Sequence, residues 1–231
     1  MMPPLMLFAA GRGTRMGSLT RARPKPLIPV AGRPLVDHAL DLAREAGVTR
    51  IVANTHYLAA QMEAHLHPHD VITHRESVLL ETGGGLKAAL DRLGGDPVFT
   101  LNADAVWAGG SNPLTRLHGT WHEGCEGLLL LVPRRDAVSH TGAGDFHLRP
   151  DGRLQRRGVE LEADYVYAGA QLLRTGPVAG MPGDAFSLNA VWDGMLARGT
   201  LYGVVHDGRW ADVGRPEGIA AAEAMLDGVD P

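Results

Sequence analysis

A chain of 231 residues, 45% hydrophobic and 21% charged with a formal net charge of −4, can bury a sizeable core but has no basic excess with which to grip a nucleic acid. Its single cysteine, Cys125, excludes an internal disulfide framework and a cysteine-ligated zinc site. No run of about 20 apolar residues could span a membrane, and the opening MMPPLMLFAAG lacks the basic n-region of a signal peptide; a cytoplasmic protein without membrane or nucleic-acid partners is expected.

In chain order, residues 5–9 read as a buried strand. Residues 34–46 read as a helix, with Leu35, Ala39, Leu42 and Ala46 on one face and Gly47 as its stop. A strand at 50–54, a helix at 58–66, a short strand at 71–73, a helix at 85–93 and a buried strand at 98–101 follow. His65, His67 and His69 lie where the second helix runs into a turn, a context that favours a helix end over a metal site. In the second half, 128–132 is an apolar strand and GDFHLRPDGRLQRR reads as a hairpin turning at Pro150-Asp151-Gly152. Residues 165–173 form a further strand, 188–198 a helix closed by Gly199, 201–205 a strand and 216–226 a last helix.

Strands separated by single helices imply right-handed crossovers. The expected fold class is therefore α/β: a three-layer, mostly parallel, Rossmann-like sheet with helices on both faces. With no linker-like shift in composition, residues 1–231 read as one domain whose later segments form a lid over the sheet edge. Ligands of such sheets bind outside the carboxyl ends of the strands, and two of those ends carry unusual chemistry: AAGRGTRM after the first strand and LNADAVW after the fourth.

The loop after the first strand does not fit a Walker A motif, which needs GxxxxGK[ST]. Nor does it fit a dinucleotide fingerprint, since Met16 stands where a third glycine is needed and no suitable acid lies near Arg33. A third possibility is an anion-binding nest of backbone N–H groups over residues 9–14 (Ala9, Ala10, Gly11, Gly13 and Thr14), with Arg15 and Lys25 closing over a triphosphate. Lys25 lies between Pro24 and Pro26, which stiffen the chain and aim the side chain. Asp104 and Asp212 each follow a candidate strand and suit either a turn or cap or a hard cation such as Mg²⁺.

The stretch GRGTRMGSLTRARPKPLIPVAGRPL resembles the signature of the sugar-phosphate nucleotidyltransferases, which join a nucleoside triphosphate to a sugar 1-phosphate and release pyrophosphate. ETGGGLKAAL, NADAVW, GDF, YAGAQLL and WADVG follow in the order used by the short bacterial subgroup acting on N-acetylmuramic acid 1-phosphate. The resemblance implies a nucleotide-binding part at 1–110 and a sugar-binding and lid part at 111–231. It makes Asp104 and Asp212 ligands of Mg²⁺, places Glu81, Gly84 and Gly85 around the pyrimidine of UTP, and lines the sugar pocket with Gly144, Asp145 and Gly169. Asn54 and His56 match the subgroup too, as ligand contacts or as strand-end packing. GVELEADYVYAG lacks the Glu-Lys-Pro element of the larger hexose enzymes, which disfavours a glucose-1-phosphate thymidylyltransferase. With muramic acid as the sugar, cell-wall sugar recycling is implied. Alternatives are a mannose-1-phosphate guanylyltransferase, a glucose-1-phosphate nucleotidyltransferase, and a non-catalytic nucleotide-sugar sensor. No stretch after the last helix could form the acetyltransferase β-helix of bifunctional relatives.

Overall fold

In the computed structural model, which describes residues 1–228, the apolar run LMLF forms the central strand β1 (Leu5–Phe8). Leu5 and Leu7 face one core and Met6 the other, as strand alternation requires, so a strand covered on both faces is apolar throughout. A small hairpin, β2 (Pro29–Val30) and β3 (Arg33–Pro34), leads into α1 (Leu35–Glu45). Next come β4 (Ile51–Thr55), α2 (Ala59–Leu66), β5 (Ile72–Arg75) and α3 (Glu81–Leu93), then β6 (Val98–Asn102), β7 (Ala105–Ala108) and α4 (Pro113–Thr120). The second half supplies β8 (Gly127–Pro133), β9 (Ala137–Val138), β10 (Phe146–Leu148), β11 (Leu154–Arg156) and β12 (Tyr165–Leu173). After these come α5 (Thr175–Ala179), α6 (Leu188–Arg198), β13 (Leu201–Val205), β14 (Arg209–Asp212) and α7 (Glu217–Leu226).

The central sheet runs β13-β8-β12-β6-β1-β4-β5, and every strand of that row except β12 points along β1. This is the mostly parallel α/β sheet expected. One core lies between the sheet and α1, α2 and α4, with Val36, Leu40, Leu66 and Leu114 against Leu5 and Leu7. The opposite core sets α3 and α6 against Met6 and Val52 through Leu86, Leu93, Trp192 and Met195. Among the described residues no helix is long and apolar enough to cross a membrane.

The second half departs from the expected lid. Its long strands β8, β12 and β13 extend the sheet itself, because Leu128–Val132 and Ala168–Leu173 are apolar enough to be buried on both faces. The hairpin β10–β11 joins the free half of β12 beyond the end of β6. A separate small sheet, β7-β14-β9, pairs Asp212 with Ala105 and Trp210 with Trp107; α7 packs on it through Ala222 and Met225. That sheet is what carries Asp212 back to the end of β6.

Candidate active site

The loop leaving β1 is held by a chain of buried polar groups. Ala9 N–H donates to Asn54 Oδ1 (2.9 Å), Asn54 Nδ2 donates to Glu76 Oε1 (2.8 Å), and Glu76 Oε2 accepts from Leu80 N–H (3.2 Å). Asn54 and Glu76 are 3% and 4% exposed; buried polar groups are tolerated when satisfied in this way. Asn54 therefore orients the glycine loop, and His56 Nδ1 meets the Glu76 carbonyl oxygen at 3.0 Å. Glu76, a lone acid after a short strand, has no pattern in the sequence that would single it out.

Gly13 stands at φ 61, and a Cβ there would lie 2.8 Å from Lys25 Cβ, so this position needs glycine for its conformation and for the closeness of the lysine. Thr20 Oγ1 donates to the Gly13 carbonyl (3.1 Å). Thr14 opens a 3₁₀ segment, and Thr14 and Arg15 are exposed. Lys25 follows Pro24, which is extended at ψ 145, and begins a 3₁₀ turn. Its side chain is buried, with Nζ donating to Asp104 Oδ2 at 2.8 Å.

Asp212 ends β14 beside Ala105, and Val213 N–H donates to the Asp104 carbonyl (3.0 Å). The two aspartates reach one corner together with Lys25 and Arg15. Burial pushes the Asp212 carboxyl up and the Asp104 charge adds to this, against the opposing pull of Lys25, Arg15 and His140. Two carboxylates crowded so that one resists ionisation form a donor set suited to a hard divalent cation.

The sign of this shift gives a testable consequence. An aspartate whose folded pKa is raised binds its proton more tightly in the native state. The cost is absent below the unfolded value near 3.9 and complete once pH exceeds the folded value. Asp212→Asn is expected to raise the melting temperature of the metal-free protein at neutral pH, by about 2–4 °C per kcal/mol relieved. It should not do so near pH 3, and it should suppress turnover. Differential scanning calorimetry at both pH values checks it.

A cavity of about 250 Å³ opens at the ends of β1 and β6, lined by Ala9, Ala10, Gly11, Lys25, Asn54 and Asp104 on one side and by Leu79, Glu81 and Thr82 on the other. Glu81 is held at φ 60, a left-handed conformation unusual for a non-glycine residue. At Gly84 and Gly85, expected at the base, the side that a Cβ would occupy faces protein. A Cβ on Gly84 would collide with the Asp184 carbonyl oxygen, and one on Gly85 would lie 2.7 Å from Glu76 Oε1. The triplet is the first turn of α3, not a loop before it.

A second cavity of about 250 Å³ shares Phe8, Thr82 and Asn102 with the first and adds Asp145, Tyr167, Asn189 and Trp192. Asp145 accepts from Tyr167 N–H (2.9 Å), and burial keeps the Tyr167 phenol protonated by pushing its pKa up. Arg156, which also lines this cavity, is committed to Asn189 Oδ1 (2.9 Å) and Asp193 (2.9 Å). Gly144 and Gly169 lie behind the surface: Gly169, at φ 80 in the bulge of β12, packs against the Asn102 side chain, and Gly144 against the Ala163 carbonyl. Asn102, which faces both cavities, was not legible as a site residue.

Away from these cavities, His65 Nε2 meets Asp37 Oδ1 (2.7 Å) and His69 stacks near His65, but Arg44 Nη2 sits 2.8 Å from His69 Nδ1. Asp37, His65 and His69 each bring a carboxylate or ring-nitrogen atom within 4.8 Å of the others.

Residues 5–127 match the MobA-like NTP transferase domain. The chain is 38% identical over 233 residues, 96% of each chain, to N-acetylmuramate alpha-1-phosphate uridylyltransferase of Caulobacter vibrioides. It is 32% identical over 229 residues to the protein of that name from Neisseria meningitidis, covering 95% of this chain and 96% of the other. Among solved structures, HddC from Yersinia pseudotuberculosis complexed with GMP-PN has the same fold, with a TM-score of 0.78 at 20% identity over 97% of this chain and all of that one.

Proposed function

We propose a specific reaction for this chain, which belongs to the MobA-like NTP transferase family: transfer of a uridylyl group from UTP to N-acetylmuramic acid 1-phosphate, giving the UDP-sugar and pyrophosphate. The Lys25–Asp104 contact with Asp212 beside it, at the mouth of a cavity walled by the glycine loop, carries the reading of nucleotidyl transfer. The two uridylyltransferase relatives that match from end to end support this choice of base and sugar.

The residues divide the work. The loop amides and Arg15 hold the triphosphate, needing no desolvated counter-charge on the main-chain side. Lys25 neutralises phosphate charge from a buried, preset position. Asp104 and Asp212 are the groups that would hold Mg²⁺, which when bound supplies charge neutralisation at the phosphates. The sugar rests against Asp145, Asn102 and the Tyr167–Trp192 wall, with its phosphate toward Lys25. The acceptor oxygen is already ionised at neutral pH, so no protein base or nucleophile is needed; positioning and electrostatics supply the rate.

A panel of UTP, GTP and TTP against N-acetylmuramic acid, mannose and glucose 1-phosphates tests this, read as pyrophosphate released. The expected outcome is a kcat/KM at least about tenfold higher for UTP with the muramic acid substrate, a discrimination of about 1.4 kcal/mol. A preference for GTP with mannose 1-phosphate would overturn the choice of substrates.

A further inference from the structure

Three side chains with metal-ligand chemistry converge where α1 meets the end of α2. Asp37 stands in the first turn of α1, His65 in the last turn of α2, and His69 ends the 3₁₀ turn that follows. Each offers one atom within 4.8 Å of the other two. None of the three lines the nucleoside or the sugar-side cavity. An acid at a helix start and a histidine at a helix end agree with the helix dipoles, and their 2.7 Å contact is a pair that needs no further member. His69 is a further member. It follows His65 at i,i+4, the spacing that sets two imidazoles on one helix face, and Pro68 stiffens the backbone before it. The chain beneath the ligands is anchored: Val36 next to Asp37, and Leu66 next to His65, are fully buried in one core. The side chains stay within reach of solvent, with Asp37 19% and His65 25% exposed.

We propose that Asp37, His65 and His69 form a site for a divalent transition-metal ion of the zinc class, which ties α1 to the end of α2. Two imidazoles and one carboxylate suit Zn²⁺ better than Mg²⁺, which prefers an all-oxygen shell; this separates the site from the Asp104–Asp212 corner. At zinc bond lengths the ligand atoms of a tetrahedral set stand about 3.3 Å apart. Here the closest pair is at 2.7 Å and all lie within 4.8 Å, so a closure of about 1.5 Å at most completes the set and leaves the fourth position to water. Without the ion, Arg44 supplies the positive charge at His69, its Nη2 donating to Nδ1 at 2.8 Å. A guanidinium only donates, so Nδ1 presents its lone pair and the ring proton is on Nε2. Whichever nitrogen takes the ion, Arg44 must let go. At Nδ1 the two cations compete; at Nε2 the ring proton moves to Nδ1, which then accepts nothing. Arg44 is exposed and lies 3.6 Å from Asp41 Oδ1, a carboxylate it keeps on release. The hydrogen bond from His65 to Asp37 gives way to two metal bonds, and the displaced proton goes to the other ring nitrogen or to solvent.

Calorimetric titration of the whole protein with Zn²⁺, in a large excess of Mg²⁺, tests the site. One ion per chain is expected, and a hundredfold excess of zinc over its Kd should raise the melting temperature by about 5–10 °C. His65→Ala and His69→Ala are each expected to weaken binding by about tenfold or more. His67→Ala removes an exposed histidine of the same turn and should leave the affinity unchanged. Arg44→Ala should tighten binding by about threefold, a gain that a poorly folded variant cannot give. A parent that binds no zinc overturns the proposal, as does affinity within about twofold of the parent in both His65→Ala and His69→Ala. An equal loss in His67→Ala overturns it by making the binding a general property of surface histidines. Arg44→Ala that binds no more tightly than the parent overturns it as well. Zinc binding that Mg²⁺ abolishes belongs to the aspartate corner and overturns it too.

Discussion

Lys25→Ala is expected to abolish turnover, lowering kcat by about a thousandfold or more, about 4 kcal/mol of transition-state stabilisation, in a protein that still melts cooperatively. Lys25 is 7% exposed, its backbone is preset by the flanking prolines, and its Nζ lies 2.8 Å from Asp104. A cation held this way is preorganised and needs little rearrangement when phosphate arrives. Its removal takes the hydrogen-bonded counter-charge from Asp104, but Arg15 still acts on the aspartate corner and Asp104 is a third exposed, so water can enter and the fold should survive. Lys25→Arg should not rescue activity. The slot is closed by Gly13, whose backbone lies against the lysine stem, and a planar fork cannot follow the path of a flexible ammonium chain. Steady-state kinetics with circular dichroism checks both variants; a kcat within about tenfold of the parent in Lys25→Ala would remove Lys25 from the chemistry.

The parts of this site that were legible in the sequence are those whose chemistry is local. A buried strand running into glycines, and a lysine between prolines, are signals contained in a few residues, and both lie where expected. Nothing local says that Lys25 and Asp104 touch, or that β14 returns Asp212 to Ala105; those facts belong to strand pairing across the chain. The same limit hid the reversed strand β12. Its apolar alternation announces a strand but not its direction, and the second half read as a lid when it completes the sheet. Glu76 went unseen because a single acid has no periodicity. Its importance comes from the amide of Asn54 on one side and the Leu80 N–H on the other.

The glycine triplet yields the second strong expectation: Gly84→Ala should destabilise the protein by about 2–3 kcal/mol, lowering the melting temperature by about 5–10 °C. Helix propensity alone has the opposite sign, since alanine is favoured over glycine in a helix by about 1 kcal/mol. The reversal comes from the segment before α6. Gly83 and Gly84 N–H groups both donate to the Phe186 carbonyl (2.9 and 3.0 Å), and Phe186 N–H returns to Leu80 O (3.2 Å). A methyl on Gly84 collides with the Asp184 carbonyl, so the segment must retreat and those bonds lengthen, at about 1 kcal/mol each. Gly119, near the end of α4 with no atom within 4 Å of a would-be Cβ, is the control: Gly119→Ala should be neutral or stabilising. Because Thr82 Oγ1 accepts from Leu188 N–H (3.0 Å), the shift should also reach the wall shared by the nucleoside and sugar-side cavities and raise both substrate KM values. If the glycines serve instead to let the base lie on the backbone, Gly84→Ala would keep its melting temperature and raise the KM for UTP alone. Calorimetry and kinetics on the one variant separate the two.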